Sequence, residues 1–408
     1  MQPFKCGPDY IDTKFHEAVC GQPSVNLDTF MATPEHVREL FWRYSTDADV
    51  AIIEGMMGLF DGYDRDRGSA AEIATVLDVP VLLVVDARSA AYSMAALLQG
   101  FTRFRKDVRF AGVLYNKVGS ERHAQMLREV AAEAGVPCLG CIQKQTALEQ
   151  GSRYLGLDFS EGLSISSFAD TLRSQISWKE LLQKSEKSPS ENEHRFIGPH
   201  TYVTCPTNIS DSAHEHRFIF VARNEESFSF LYQETIDLLK SVGEVRFFDP
   251  EREAPALDSC SLLYLPGGYP EKHLEALTHA EDTRHRIRKY AEAGGHIIAE
   301  CGGMMYLCRS IITDEGEAPM CAVLPYSISA RKEDRRLHLG YRSFQIDGQE
   351  MRGHEFHYTR FAEPAPPSAI QVYNAKGEPT ATAILKQGHV WASYTHLSPQ
   401  AILWLARH

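Results

Sequence analysis

The stretch Ala291-Glu-Ala-Gly-Gly-His-Ile-Ile-Ala-Glu-Cys301-Gly302-Gly303-Met-Met-Tyr-Leu constrains this chain more than any other segment. A short apolar run, Ile297 to Ala299, stops at a cysteine and two glycines, and a helix-like apolar stretch follows. That order predicts a strand, a sharp turn and a helix. The turn pushes one side chain into the open, and the glycines tolerate its strained backbone. A helix N-terminus beside the sulfur favours the thiolate, the reactive form. Cys301 is therefore expected to be a catalytic nucleophile, and the chain an enzyme.

The rest of the chain fits such a turn. Apolar runs of strand length alternate with helix-like ones throughout, which points to α/β architecture with mostly parallel sheets flanked by helices. In the first half, strands are expected at Asp49–Glu54, Val79–Asp86, Phe110–Asn116 and Val136–Leu139. Helices are expected at Pro34–Ser45, Ala70–Leu77, Ala90–Phe104 and Glu121–Ala134. The segment 184–194 is polar and free of large apolar residues, as linkers are. A second pattern opens at Phe218–Arg223. Helix Phe228–Val242 and strands Glu244–Phe248, Cys260–Leu265 and Gly295–Glu300 are expected after it. The reading is two domains, 1–180 and 217–408, joined by a linker at 181–216.

Composition removes several classes of function. With 408 residues, 43% hydrophobic and 24% charged, the chain reads as globular. Its longest apolar run, Val79 to Val85, contains Pro80 and is too short to span a bilayer. A net charge of −12 argues against nucleic acid as a partner. Nine cysteines without a signal-peptide pattern fit a reduced cytoplasmic setting. Cys138-Leu-Gly-Cys141 has metal or redox spacing, but no second such pair exists, so two buried strand-end residues are the simpler reading. Cys6, Cys20, Cys205, Cys260, Cys308 and Cys321 are expected to be inert.

Two further features converge on Cys301. Leu265-Pro-Gly267-Gly268-Tyr269 ends an apolar strand, and its amides, with that of Gly302, could face an oxyanion; Gly268 and Gly302 are the expected pair. Ala392-Ser-Tyr-Thr-His396-Leu supplies a candidate base, with His354 and His357 of Arg352-Gly-His-Glu-Phe-His-Tyr358 as rivals. A Cys–His pair suits acyl transfer: the thiolate attacks a carboxamide and ammonia leaves from a thioester.

On these residues the second half resembles the class I glutamine amidotransferases, a flavodoxin-like fold. More narrowly it is similar to the corrinoid amidases, the group of cobyrinic acid diamide synthase and cobyric acid synthase. Most other branches carry an acidic residue two positions after the histidine. Here that position is Ser398, and the resemblance implies a site without the usual third member. It leaves open what orients His396. His354 and His357 are expected at a functional wall of the pocket or at a domain interface, with a structural role as the alternative.

The first half carries Lys5-Cys-Gly-Pro-Asp9-Tyr10-Ile-Asp12, then Glu54-Gly-Met-Met-Gly-Leu-Phe-Asp61-Gly62, then Asn116-Lys-Val-Gly119. These blocks resemble the synthetase domain of the cobyrinic acid a,c-diamide synthases, itself similar to dethiobiotin synthetase and the wider P-loop ATPases. Glu54 ends an apolar strand, where parallel sheets place ligands. Glu54 and Asp12 are expected to hold Mg²⁺, with Asp9 the alternative to Asp12. Lys5 and Asn116 are expected at the nucleotide, and Asp9, Tyr10 and Asp61 at substrate or an interface. The resemblance implies that ATP phosphorylates a tetrapyrrole carboxylate and that ammonia from glutamine displaces the phosphate. Cobyrinic acid, hydrogenobyrinic acid and a nickel sirohydrochlorin are the candidate substrates, and a homodimer is a possible assembly. A regulatory remnant and a free-standing glutaminase are the alternative readings. The family's Gly-x-x-x-x-Gly-Lys-[Ser/Thr] loop is missing from this sequence. An N-terminally truncated record is the favoured explanation, and a short form without ATP chemistry the alternative.

Overall fold

The computed structural model describes residues 1–144, 152–153, 156–157, 165–186, 218–364 and 366–407. Cys205 and most of the expected linker lie outside them. Contacts divide the chain into two units, Met1–Ala70 with Ala213–His408 and Ala71–Ser212. The expected first domain, 1–180, is thus cut at Ala70, and its first part packs with the C-terminal half.

In the first unit, a parallel sheet has the order Val25–Leu27, Gln2–Cys6, Ala51–Glu54. A six-stranded sheet runs Glu244–Phe248, Phe218–Ala222, Cys260–Leu265, Ile297–Glu300, Val390–Ser393, Ile384–Gln387. It is parallel except for the last strand, which pairs antiparallel with Val390–Ser393. Strand Ile297–Glu300 is buried at every position and lies inside the sheet, which is why it reads as a near-continuous apolar run. Phe220, Leu263, Leu265, Ile297 and Ala299 form one core with the short helix Gly302–Leu307.

An antiparallel sheet lies beside it, outside the parallel expectation. The hairpin His338–Ile346 and Gln349–His357 forms its centre, and Thr395–Leu397 pairs with the second strand. The chain therefore leaves the parallel sheet after Ser393 and joins the antiparallel one at Thr395. His396 stands directly opposite His354 in that register.

An aromatic cluster ties Met1–Ala70 to the C-terminal half. Tyr10, Phe30 and Met31 bury themselves with Phe230 and Tyr232, and Tyr63, Tyr269 and Tyr341 pack against them. The Tyr341 hydroxyl donates to Asp28 at 2.8 Å, and Arg352 donates to the carbonyl of Phe30 at 2.9 Å. This cluster also shortens the helix expected at Phe228–Val242. Helix begins only at Gln233, because Phe228–Tyr232 is held out of it. The Phe230 amide donates to Gly267 at 3.0 Å while its ring stacks on Tyr10.

The second unit holds a parallel sheet of Val81–Asp86, Phe110–Val118 and Cys138–Gln143. Its last strand starts and ends later than the expected Val136–Leu139. Helix Met94–Phe104 starts four residues after the expected Ala90, because Ala87–Ala91 closes tight turns. Among the described residues no helix is long and apolar enough to cross a membrane.

Candidate active site

Cys301 occupies the first position after strand Ile297–Glu300 with φ 46° and ψ −110°. This is left-handed territory that a non-glycine residue enters at a cost of about 1–3 kcal/mol. The neighbours make the bend obligatory. The Cys301 amide donates to Ser393 at 2.7 Å, prolonging the sheet by one rung, and its carbonyl accepts from Met305 at 3.0 Å, opening the helix. One residue belongs to both elements, and only a sharp bend connects them.

Two glycines make room for what surrounds it. A Cβ on Gly267 would lie 2.2 Å from Cε1 of His396 and 3.2 Å from Cβ of Cys301. Cysteine and histidine therefore press against the same glycine. A Cβ on Gly302 would meet the backbone of Gly268 at 2.7 Å, so these two backbones lie in contact. Burial pushes the Cys301 thiol well above its ordinary range, Glu271 adds to this, and the amides of Gly302 and Gly268 pull it back. Burial, with the nearby His354 and His357, lowers the His396 imidazole to about 3. The resting pair is thus a neutral thiol and a neutral imidazole. The Gly302 amide at the helix start favours the thiolate as expected, and burial of the sulfur opposes it more strongly.

His396 is fully buried, and among the described residues neither ring nitrogen has a hydrogen-bond partner. Tyr10 packs its ring 4.9 Å from the imidazole and Phe230 at 5.8 Å. Tyr10, expected at substrate or an interface, thus stands against the candidate base.

His354 and His357 share the hairpin strand opposite His396. Burial, with the charge of Arg342, lowers His354 to about 4, and among the described residues its Nδ1 has no partner. His357 donates from Nδ1 to the carbonyl of Thr359 at 2.7 Å and from Nε2 to Glu355 at 2.8 Å. Burial acts to raise the Glu355 carboxyl, but the hydrogen bond from His357, the charge of that ring and that of Arg342 outweigh it and hold it at about 2. Among the described residues, His338, Glu355 and His357 form one group close enough to ligate a metal ion. Both Glu355 oxygens are already engaged, one by His357 and the other by Arg342 and Thr382, so the group's charges close without an ion.

A second cluster lies at the C-terminal ends of Gln2–Cys6 and Ala51–Glu54. Lys5 Nζ is 2.6 Å from Asp12, 3.3 Å from Glu54 and 3.2 Å from the carbonyl of Gly55. His16 adds a contact to Glu54 at 2.7 Å. Burial opposes the Lys5 charge, but the hydrogen bond to Asp12 and the charges of Glu54, Asp12 and Asp9 outweigh it and raise its pKa. The structure therefore brings Lys5, Asp12 and Glu54 together as expected, with Lys5 tied to the two carboxylates. Asp9 turns to the backbone and accepts from the amides of Ile11 and Asp12 at 2.8 and 2.9 Å. Asp61 is exposed. Asn116 belongs to the other unit, where it accepts from the amide of Lys117 at 2.8 Å. There Cys138 and Cys141 bring their sulfurs to 3.9 Å as free thiols.

Sequence reasoning gave no role to Glu300 or Glu355, which lie beside the candidate pair. Glu300 had a visible signal: a carboxylate closing an apolar strand directly before the candidate nucleophile.

The chain is similar to known proteins along most of its length. Residues 219–401 match the CobB/CobQ-like glutamine amidotransferase domain, and residues 24–152 match an AAA domain. A hydrogenobyrinate a,c-diamide synthase of Brucella abortus biovar 1 is 37% identical over 97% of this chain and 91% of its own length. A cobyrinate a,c-diamide synthase of Syntrophotalea carbinolica is 36% identical over 97% of this chain and 88% of its own. The chain belongs to the a,c-diamide synthase family. A glutamine amidotransferase structure from Thermotoga maritima aligns at 17% identity over 45% of this chain and 76% of its own, with a TM-score of 0.32.

Proposed function

We propose that this protein uses glutamine and ATP to convert the a and c acetate carboxylates of a corrinoid to amides, a step of cobalamin biosynthesis. Similarity over 97% of the chain to a,c-diamide synthases supports the overall reaction. The single observation carrying the glutamine half is that Cys301, on its strained turn, and His396 both crowd the space where a Cβ of Gly267 would stand.

In this reading His396 takes the thiol proton, sulfur attacks the glutamine carboxamide, and the amides of Gly268 and Gly302 bind the oxyanion. Ammonia then leaves on a proton returned from the imidazole. A buried, neutral resting pair keeps water and protons from the ammonia it releases.

ATP would activate the corrinoid carboxylate, since phosphate leaves where carboxylate oxygen cannot. The donor set of Asp12 and Glu54 fits Mg²⁺, which prefers oxygen ligands at a strand end. Bound there, Mg²⁺ would neutralise phosphate charge; Lys5 holds the two carboxylates side by side and lends its own charge to the same place. Asn116 at the base and Asp9, Tyr10 and Asp61 toward the corrinoid complete the assignment, and the cytoplasm is its proposed location.

The test offers the protein glutamine and MgATP with cobyrinic acid, hydrogenobyrinic acid or nickel sirohydrochlorin, and reads amidation by mass spectrometry. A mass decrease of about 1 Da per carboxylate is the expected result. Glutamine hydrolysis that persists in Cys301→Ala would overturn the assignment of the nucleophile.

A further inference from the structure

Glu300 has no part in the chemistry above, yet it is buried beside the candidate pair. It closes strand Ile297–Glu300, precedes Cys301 and is 3% exposed. Its Oε1 accepts the backbone N–H of Leu397 at 2.8 Å, and its Oε2 accepts the hydroxyl of Tyr264 at 2.7 Å. Oε2 also lies 3.9 Å from Nδ1 of His396, which has no hydrogen-bond partner.

A carboxyl group buried among Ile297, Ile298 and Ala299 is costly. Bonding these two partners does not require a charge, because a glutamine could accept the Leu397 N–H with its carbonyl oxygen and donate its NH2 to the Tyr264 hydroxyl oxygen. What a carboxylate adds is a place to balance positive charge. An imidazole that takes a thiol proton becomes a cation, and here it does so without solvent. The acidic residue that most glutamine amidotransferases place two positions after the histidine is Ser398 in this chain. Its hydroxyl faces the following helix, accepting from Ala401 at 3.4 Å.

We infer that Glu300 is the positioning residue for His396 and stands in for that missing acid from the other side of the ring. Through the amide of Leu397 it fixes the backbone one residue beyond the histidine. Through Oε2 it offers a carboxyl oxygen to Nδ1 when the ring is charged. Hydrogen bonds of this kind are often long in a resting site and tighten with substrate. The role rests on the reading of Cys301 and His396 as the glutamine-hydrolysing pair.

Other charged and titratable groups face the pair. His354, His357 and Glu355 come from the hairpin strand, Tyr10 from the N-terminal segment, Tyr232 from the segment before helix Gln233–Val242, Tyr264 from the neighbouring strand, and Glu271 from the turn beside Cys301. The Glu355 charge is already matched by His357 and Arg342. Among the described residues Glu300 has no cationic partner except His396 once protonated. Burial raises the Glu300 carboxyl to about 8, against the pull of the Leu397 amide and the Tyr264 hydroxyl. A raised carboxyl pKa favours the protonated folded state, so this group costs stability increasingly as pH rises from about 4.5 toward about 8.

The experiment measures glutamine hydrolysis by the full chain carrying Glu300→Gln, Glu300→Asp, His396→Ala or Cys301→Ala. Glu300→Gln keeps one acceptor oxygen for the Leu397 amide, turns the other oxygen into an NH2 that can donate to the Tyr264 hydroxyl, and loses the charge. The expected result is a fall in kcat of about 10²- to 10⁴-fold with KM for glutamine little changed. The pH–rate profile should lose its limb near pH 8, and thermal stability at pH 8 should stay level or rise. Should Glu300→Gln fail to fold, Glu300→Asp carries the test. It keeps the charge, draws it back by one methylene and should lower kcat less than loss of the charge does. Wild-type kcat and pH profile in the Glu300 variants, with His396→Ala inactive, would overturn this inference alone. Hydrolysis persisting in His396→Ala or Cys301→Ala would instead overturn the underlying pair.

Discussion

The two candidate centres of the first unit treat charge in opposite ways. Around Cys301 and His396 burial suppresses charge: the thiol is raised, the imidazole is lowered to about 3, and Glu300 is raised to about 8. Around Lys5 the charges are fixed and matched, with the ammonium held between Asp12 and Glu54, and Glu54 half exposed. The difference follows the chemistry each would perform. Releasing neutral ammonia calls for a dry site whose protons move among neutral groups. Handling a nucleotide calls for permanent charges that can trade partners with phosphate and metal. The first centre lies between buried strands, the second at the open end of a sheet.

This contrast can be broken by mutation. The largest effect is expected at the nucleophile: Cys301→Ala should reduce glutamine-dependent amidation by about 10⁴-fold or more, measured as glutamate release. Amidation with added ammonia should survive in a protein competent for ATP. Next comes Gly267→Ala, whose Cβ would sit where the edge of the His396 ring now lies. Displacing that ring should cost about 10²-fold in glutaminase kcat, while Gly100→Ala, with nothing near its added carbon and no left-handed backbone, serves as a control for handling. On the other side, Glu54→Gln should lower ATP-dependent amidation about 10²-fold and leave glutamine hydrolysis within twofold. Equal losses in both activities would erase the distinction between the centres.

Stability should follow the buried groups. His354 and His396 bind protons in the folded protein only near pH 4 and pH 3, against about 6.5 when unfolded. The unfolded state then holds more protons, so stability is full above pH 6.5 and falls as pH drops toward 4. Chemical denaturation between pH 7.5 and 5 should show this decline, and His354→Gln should flatten part of it. The smallest expected effect is Tyr341→Phe, which removes the bond to Asp28 inside the aromatic cluster. It should cost about 1 kcal/mol, read as a small loss in unfolding midpoint.

Much of the candidate site was legible because the chemistry is local in sequence. The apolar run ending in Cys301, the glycine pair after Leu265 and the block around His396 each announce a strand end, and parallel sheets gather strand ends on one edge. The Lys5, Asp12 and Glu54 blocks follow the same rule. Less legible was anything set by pairing between distant strands. His396 sits on an antiparallel strand that begins two residues after a parallel one ends, and no periodicity in Ala392-Ser-Tyr-Thr-His396 marks that change of sheet. The helix expected from Phe228 begins at Gln233, because aromatic residues that suit either state are claimed by Tyr10 and its neighbours.

The sequence by itself determined the α/β architecture, the strained turn at Cys301 and the residue types of both centres, since alternation, glycine placement and strand-end polarity are encoded in neighbouring residues. Only the tertiary structure decided that residues 1–70 pack with the C-terminal half, that Tyr10 lies on the candidate base, and that a carboxyl group does face His396 although none follows it in the chain. Those three depend on long-range packing: burial and charge balance act between groups brought together by the fold, whatever their separation in sequence.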